Sequence, residues 1–244
     1  MKNLVLAVAL LVPSLAFAAG SSVPLDKANF DLTDKASLQR GARIFMNYCL
    51  GCHQQQYQRY SRTFEDLDIP ADIGQEYLQF TGEKVTDYIT SPMPQEAAAT
   101  WFGAPPPDLT LVARVRGADW LYTYLRTFYV DPSKTFGVNN LVFPNVGMPH
   151  VLEELQGTPR IYHEEALVDG ETVKRYAGIK ADGNGVMNTE EYDQAILDLV
   201  NYLEYTGEPS RLQSEAIGRG ALIFVLIFFI FAYLLKKEYW RGLK

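Results

Sequence analysis

The residues with the most specific chemistry lie in one short segment, Cys49-Leu50-Gly51-Cys52-His53. Two thiols with this spacing can each form a thioether bond with one vinyl group of a single haem, and the histidine that follows can ligate the haem iron. The segment therefore predicts covalent attachment of a c-type haem, with Cys49, Cys52 and His53 as the residues that bind it.

Paired cysteines also occur in redox-active dithiols and in zinc sites. The chain has only these two cysteines and, besides His53, only two histidines, His150 and His163. A structural zinc site would therefore need both remaining histidines as its further ligands. Because one haem would use both thiols, the sequence predicts one covalently bound haem c and no structural disulfide.

An electron-transfer haem commonly has a second axial ligand, and a thioether sulfur gives it a higher reduction potential than a second imidazole does. Met148 lies between Gly147 and Pro149, in a segment stiff enough to fix a sulfur atom. Met187 has a better explanation as an apolar residue beside the start of a helix. The residue pattern leaves five candidates for this ligand: Met93, Met148, Met187, His150 and His163.

A helix is predicted to deliver the first cysteine. Leu38, Ala42, Phe45 and Cys49 recur on one helical face, in a segment that begins after residue 34. Gly41 lies inside this helix, where glycine costs about 1 kcal/mol relative to alanine. We therefore expect another helix to pack closely against Gly41.

The expected partner is the last helix before the C-terminal apolar segment. Asn188 and Glu191 have the spacing of a capping box at its start. Gly207 marks its end, and Pro209 follows. Long connections separate the two helices and carry many aromatic residues, which can shield a flat apolar macrocycle from water.

Two features of these connections suit a haem. The segment Ala104-Pro105-Pro106-Pro107-Asp108-Leu109 is rigid and can form a wall beside the ring, with Pro106 at its centre. Arg114 and Arg116 follow, and a guanidinium group pairs well with a haem propionate. Either arginine could supply that contact, and the residue pattern does not decide between them.

Both ends of the chain carry targeting signals. Residues 1–18 have the basic start, short apolar run and small-residue end that are typical of a secretory signal peptide. Residues 220–235 contain no charge, and with their flanks they are long enough to span a membrane. We predict an anchor helix over 216–235 and a basic tail over 236–244 on the cytoplasmic side.

The domain between these signals, residues 19–215, holds 28 acidic and 16 basic residues. This balance argues against nucleic acid as a partner and favours a basic protein. About two hundred residues suffice for one hydrophobic core, so we expect one globular haem domain on the outer side of the membrane.

The order of these elements resembles the cytochrome c1 family, the c-type haem subunits of ubiquinol:cytochrome c oxidoreductase (the cytochrome bc1 complex). The resemblance covers nearly the whole mature chain. It implies a mainly α protein, with a class I cytochrome c-like haem domain that has long loop insertions plus one C-terminal transmembrane helix. It rests on the haem motif, the anchor and three further segments: Pro106-Pro107-Asp108-Leu109 with two arginines after it, Met148-Pro149, and Tyr205-Thr206-Gly207-Glu208-Pro209.

The resemblance also implies roles for single residues. The two iron ligands of the family correspond here to His53 and Met148, although His150 keeps ligation by two histidines formally open. The arginine that contacts a propionate corresponds to Arg114 or Arg116. Some bacterial members have an extra cysteine pair that tightens the haem loop. This chain lacks one, so another device is expected to hold Met148.

The implied function is electron transfer from a Rieske iron–sulfur protein to a cytochrome c acceptor, with enzyme activity belonging to the whole complex. The implied partners are cytochrome b, the Rieske protein, the acceptor and membrane lipid, in a dimeric complex of the bacterial inner membrane. The haem domain would then lie in the periplasm. Three other functions stay open: a haem enzyme or sensor with an open sixth iron position, an independent membrane-tethered shuttle, and a haem subunit of a terminal oxidase.

Overall fold

The computed structural model describes residues 23–168 and 171–242. The predicted signal peptide, residues 1–18, lies outside the described residues, and so do residues 243 and 244 of the predicted tail. Helices dominate the described part of the chain, which confirms the mainly α prediction.

The first helix, α1 (Lys35–Ile44), begins at an N-cap in which the side chain of Asp34 accepts a hydrogen bond from the backbone N–H of Ser37. It continues directly into a π-helical turn, Phe45–Cys49, which ends at the first cysteine. The predicted helical run into the haem motif is therefore confirmed, and its last turn is wider than an α-helix.

The long helix α8 (Thr189–Gly207) packs on α1 at the predicted glycine. A Cβ atom added to Gly41 would lie 2.0 Å from the main-chain oxygen of Asp198 in α8. The carboxylate of Asp198 also accepts hydrogen bonds from Arg40 at 2.6 and 2.9 Å and from Ser37 at 2.7 Å. Close backbone contact and a buried carboxylate thus join the two helices.

The capping box predicted for α8 is present. The side chain of Asn188 accepts from the N–H of Glu191 at 3.0 Å, and the Glu191 carboxylate accepts from the N–H of Asn188 at 2.9 Å. The inner face of α8 is part of the main hydrophobic core, together with the buried side chains of α1 and the π-helical turn.

In the described residues between α1 and α8 there are six shorter helices. They are α2 (Tyr60–Asp66), α3 (Ala71–Tyr77), α4 (Gln95–Phe102), α5 (Val112–Arg116), α6 (Ala118–Arg126) and α7 (Glu153–Gln156). Of these, α6 packs its apolar face on α8.

The described residues also form three two-stranded antiparallel sheets. Strands β1 (Gln55–Arg59) and β2 (Tyr88–Ile89) make the first, and β3 (Phe128–Val130) and β4 (Val138–Asn140) make the second. The third is a long hairpin of β5 (Pro159–Val168) and β6 (Glu171–Ala181). This hairpin is not predicted from the sequence.

The last helix, α9 (Arg211–Tyr239), contains the apolar segment near the C-terminus. Residues 217–239 are long and apolar enough to cross a membrane, and this stretch is not buried against the rest of the chain. Its large side chains, among them Phe224 and Phe228, are exposed. This confirms an apolar C-terminal helix suited to a membrane anchor, with helical structure that continues past the predicted end at residue 235.

Candidate functional site

An apolar cavity of about 380 Å³ lies between the haem motif, the proline segment, α6 and the loop before α7. This volume is within the range of about 300–1,000 Å³ that is usual for ligand and cofactor pockets. All the residues predicted to bind haem except Arg114 line this cavity. Its lining includes Cys49, Cys52, His53, Pro105, Pro106, Pro107, Arg116, Trp120, Tyr124, Phe143 and Met148.

The two cysteines are unpaired, and both line the cavity. Cys49 is buried, and burial raises the pKa of its thiol to about 12. Burial also raises the pKa of the Cys52 thiol. Redox-active dithiols instead have lowered pKa values that favour the thiolate. The environment of this pair therefore disfavours the dithiol interpretation.

A zinc site is disfavoured as well. In residues 23–168 and 171–242, no group of three or more His, Cys, Asp or Glu side chains is placed to hold a metal ion. Zinc normally takes four ligands of these types.

The imidazole of His53 is oriented by the proline segment. Its Nδ1 donates a hydrogen bond to the main-chain oxygen of Pro107 at 2.8 Å. Because a carbonyl oxygen can only accept, Nδ1 carries the proton and Nε2 is available as a metal ligand. Burial lowers the pKa of His53, which favours the neutral form that a metal requires.

The proline segment is tied to the chain that follows the motif. The N–H of Leu109 donates to the oxygen of Gln54 at 2.8 Å, and the N–H of Gln56 donates to the carboxylate of Asp108 at 2.8 Å. These bonds fix the Pro107 carbonyl beside His53. They also place Pro106 in the cavity lining, as the predicted wall requires.

Met148 lies in the loop between β4 and α7 and contributes to the cavity lining. Its sulfur accepts a hydrogen bond from the hydroxyl of Tyr124 in α6 at 3.4 Å. The Tyr124 ring stacks on Trp120, with 4.8 Å between ring centroids, and meets Phe128 edge-on at 5.2 Å. A methionine sulfur is thus held at the cavity by an ordered aromatic group.

The other candidates for the second ligand lie elsewhere. The ring of His150 stacks on Phe128 at 4.9 Å, and its Nε2 is hydrogen-bonded to the side-chain oxygen of Gln156 at 2.7 Å. His163 is exposed on β5. Met187 packs against the main core, and Met93 is half-buried in the segment before α4. The cavity lining contains none of the four.

The structure separates the two candidate arginines. Arg116 lies at the rim of the cavity, with its guanidinium 5.0 Å from the ring centroid of Trp120 and 5.8 Å from that of Phe143. Arg114 points to α8 and its end, where it forms an ion pair with Glu208. Only Arg116 of the two lines the cavity.

Several lining residues are not among the site residues predicted from the sequence. Trp120 and Tyr124 are four positions apart on α6, and this spacing places both rings on one helical face. This spacing could have predicted from the sequence that both rings line the same surface. The position of Phe143 depends on the path of a loop, and no pattern in the sequence predicts it.

The residues of the cavity fit a haem of the c type. Two reduced thiols are three positions apart, a neutral imidazole presents Nε2, and a thioether sulfur shares the same apolar space. A guanidinium group lies at the rim, where a propionate could reach it.

Comparison with known proteins agrees with this geometry. The chain is 48% identical to cytochrome c1 of Allochromatium vinosum over 99% of both chains. It is 45% identical to a Nitrosomonas europaea protein named ammonia monooxygenase gamma subunit, over 99% of this chain and 98% of that protein. It is 24% identical to the mitochondrial haem protein cytochrome c1 of Saccharomyces cerevisiae, over 88% of this chain and 70% of that protein. A sequence model of the Cytochrome C1 family matches residues 26–243, and the chain belongs to this family.

Proposed function

We propose that this protein is the haem c subunit of a cytochrome bc1 complex. It carries one electron at a time from the Rieske iron–sulfur protein of that complex to a cytochrome c. The observation that carries the proposal is the meeting of Cys49, Cys52, His53 and Met148 in one apolar cavity of a cytochrome c1 family member.

The predicted haem-binding residues have separate roles in this proposal. Bound haem supplies the one-electron chemistry of its iron. Cys49 and Cys52 attach the ring by thioether bonds, while His53 and Met148 ligate the iron. The prolines exclude water from one edge, and Arg116, rather than Arg114, binds a propionate.

The partners follow from the family and from the surface. Cytochrome b and the Rieske protein belong to the same complex, which is dimeric. The acidic haem domain favours a basic cytochrome c and disfavours nucleic acid. Lipid covers the exposed apolar side chains of α9.

The same proposal fixes the topology. The signal peptide (1–18) directs the haem domain (19–215) to the periplasm, and the anchor (216–235) crosses the bacterial inner membrane once. Lys236, Lys237, Arg241 and Lys244 follow the anchor. Their positive charge supports a cytoplasmic position for the tail, residues 236–244.

Reduced-minus-oxidised spectra of membranes, with and without CO, test the haem site first. We expect a low-spin c-type spectrum that CO leaves unchanged, because Met148 would ligate the haem iron in place of CO. A CO complex would instead support the enzyme or sensor alternative. The pigment should stay with the polypeptide in acidified acetone, and its release would contradict covalent attachment.

A Met148→Leu variant tests the axial ligand. We expect its midpoint potential to fall by on the order of 0.1 V, a modest part of the roughly 0.8 V range that axial ligands set. The sulfur-to-iron absorption band should also disappear. Met187→Leu is the matched control, since Met187 packs in the core outside the cavity. An unchanged potential in Met148→Leu would remove Met148 from this role.

Copurification from mild detergent tests the complex. An affinity tag on this chain should recover cytochrome b and a Rieske protein in equal amounts. Recovery of a terminal oxidase, or of ammonia monooxygenase subunits as the name of the Nitrosomonas relative would imply, would contradict the proposal. Recovery of the chain alone would favour an independent shuttle.

A further inference from the structure

The loop that carries Met148 is held without a disulfide, because both cysteines of the chain belong to the haem motif. We propose that the side chains of Asn139 and Asn140, at the end of β4, are positioning residues for Met148. This inference rests on the proposed function, in which Met148 is the second iron ligand.

Asn140 joins the loop to α6. It is 1% exposed, and its Nδ2 donates to the main-chain oxygen of Tyr124 at 2.7 Å. Its Oδ1 accepts from the N–H groups of Val142 at 2.9 Å and Phe143 at 3.1 Å. One buried amide therefore fixes the first turn of the loop against the helix that carries Tyr124.

Asn139 holds the middle of the same loop. It is 7% exposed, and its Oδ1 accepts from the N–H of Asn145 at 2.8 Å. Its Nδ2 donates to the carboxylate of Asp131 at 3.0 Å, in the turn between β3 and β4. Asn145 has a left-handed backbone, with φ of 62°, and Lys134 donates to its side-chain oxygen at 2.6 Å.

Most of the hydrogen bonds of Asn139 and Asn140 act on the same part of the chain. Apart from the bond to Asp131, they end on loop residues that lie three to six positions before Met148, and on Tyr124, whose hydroxyl reaches the Met148 sulfur. The two asparagines thus hold the backbone that presents the sulfur, and Asn140 ties it to the helix that donates to the sulfur. A side-chain amide can do this because it offers donors and an acceptor at once.

Removing the Asn140 amide takes its acceptor from the N–H groups of Val142 and Phe143. Removing the Asn139 amide takes its acceptor from the N–H of Asn145. The loop then loses hydrogen bonds that hold it in one position. The iron–sulfur contact would then be easier to displace. A role limited to folding would lower stability but leave the ligation of the folded protein unchanged. Displacement of Met148 by an added ligand separates these two roles.

The experiment uses the full-length protein in mild detergent, well below its unfolding temperature, with imidazole as the probe. We expect ferric Asn140→Ala to bind imidazole at least tenfold more tightly than the wild type, and Asn139→Ala to shift in the same direction. A fraction of the ferrous variant should also bind CO. Asn184→Ala is the control, because Asn184 is an exposed asparagine in the turn after β6.

Wild-type imidazole affinity in both variants would overturn the inference, even if the variants were less stable. Asn139→Ala decides the question if Asn140→Ala does not accumulate, because it removes the bond to Asn145 and keeps the bonds that the Asn140 side chain makes. Retention of haem in acidified acetone is measured on every sample. Loss of haem from the wild type would contradict the proposed function itself, which distinguishes the two failures.

Discussion

The hydroxyl of Tyr124 donates a hydrogen bond to the sulfur of Met148 across 3.4 Å. Burial raises the pKa of Tyr124 well above its usual value, so the hydroxyl keeps its proton at any physiological pH. The donor is therefore permanent, and it lies on a helix whose position is set by packing rather than by the loop. The hydrogen bond that the Met148 sulfur accepts thus depends on the position of α6.

Tyr124→Phe should lower the midpoint potential by some tens of mV. A donor to the sulfur reduces its electron donation to ferric iron, and the removal of a bond worth about 1 kcal/mol corresponds to roughly 40 mV for one electron. Redox titration of the purified protein checks this value. Tyr122→Phe on the same helix is the control, and equal potentials in the two variants would show that the bond to Met148 has no effect.

Arg116→Gln should also lower the midpoint potential, because it removes a positive charge at the cavity rim. Arg116 is exposed, so water screens the charge and we expect a fall of roughly 20–40 mV, less than 1 kcal/mol. Arg114→Gln should leave the potential at the wild-type value, since Arg114 pairs with Glu208 instead. A larger effect of Arg114→Gln would reassign the propionate contact to Arg114.

These two arginines show where sequence reasoning stops. Both follow the proline segment, and their different positions depend on α5 ending at Arg116, before Gly117, and on the position of Glu208, which is 94 residues away from Arg114. The residue types around an arginine do not reveal which partner, distant in the sequence, it will contact. The positions of Asn139 and Asn140 depend in the same way on a hairpin turn and on a helix.

Local signals were more successful. The packing of α8 on Gly41 and the capping box of Asn188 and Glu191 were both predictable, because each depends on a few residues whose chemistry admits one use. The hairpin of β5 and β6 was missed. Many of its side chains, among them Tyr162 and Tyr176, are exposed, so it lacks the alternation that a half-buried strand shows.

Gly41→Ala should destabilise the haem domain by about 3 kcal/mol, because the new methyl group would collide with the backbone of α8 and neither helix can yield without losing core contacts. Thermal unfolding of the detergent-solubilised protein measures the loss. Gly218→Ala is the control, since an added Cβ atom there meets no neighbour within 4 Å. Equal melting temperatures for Gly41→Ala and the wild type would show that the helices separate easily.

His150→Leu tests the remaining rival for the axial position. His150 is buried, with its ring stacked on Phe128 and its Nε2 bonded to Gln156, so it serves packing. We expect the variant to lose about 1–2 kcal/mol of unfolding free energy, from the ring contact and the hydrogen bond. Its sulfur-to-iron band and midpoint potential should stay at the wild-type values. His163→Leu on the exposed strand β5 should change none of these quantities. Two results together would instead establish ligation by two histidines: a wild type without a sulfur-to-iron band, and a His150→Leu variant without a low-spin spectrum. Only an imidazole bound to the iron would make the low-spin spectrum depend on His150.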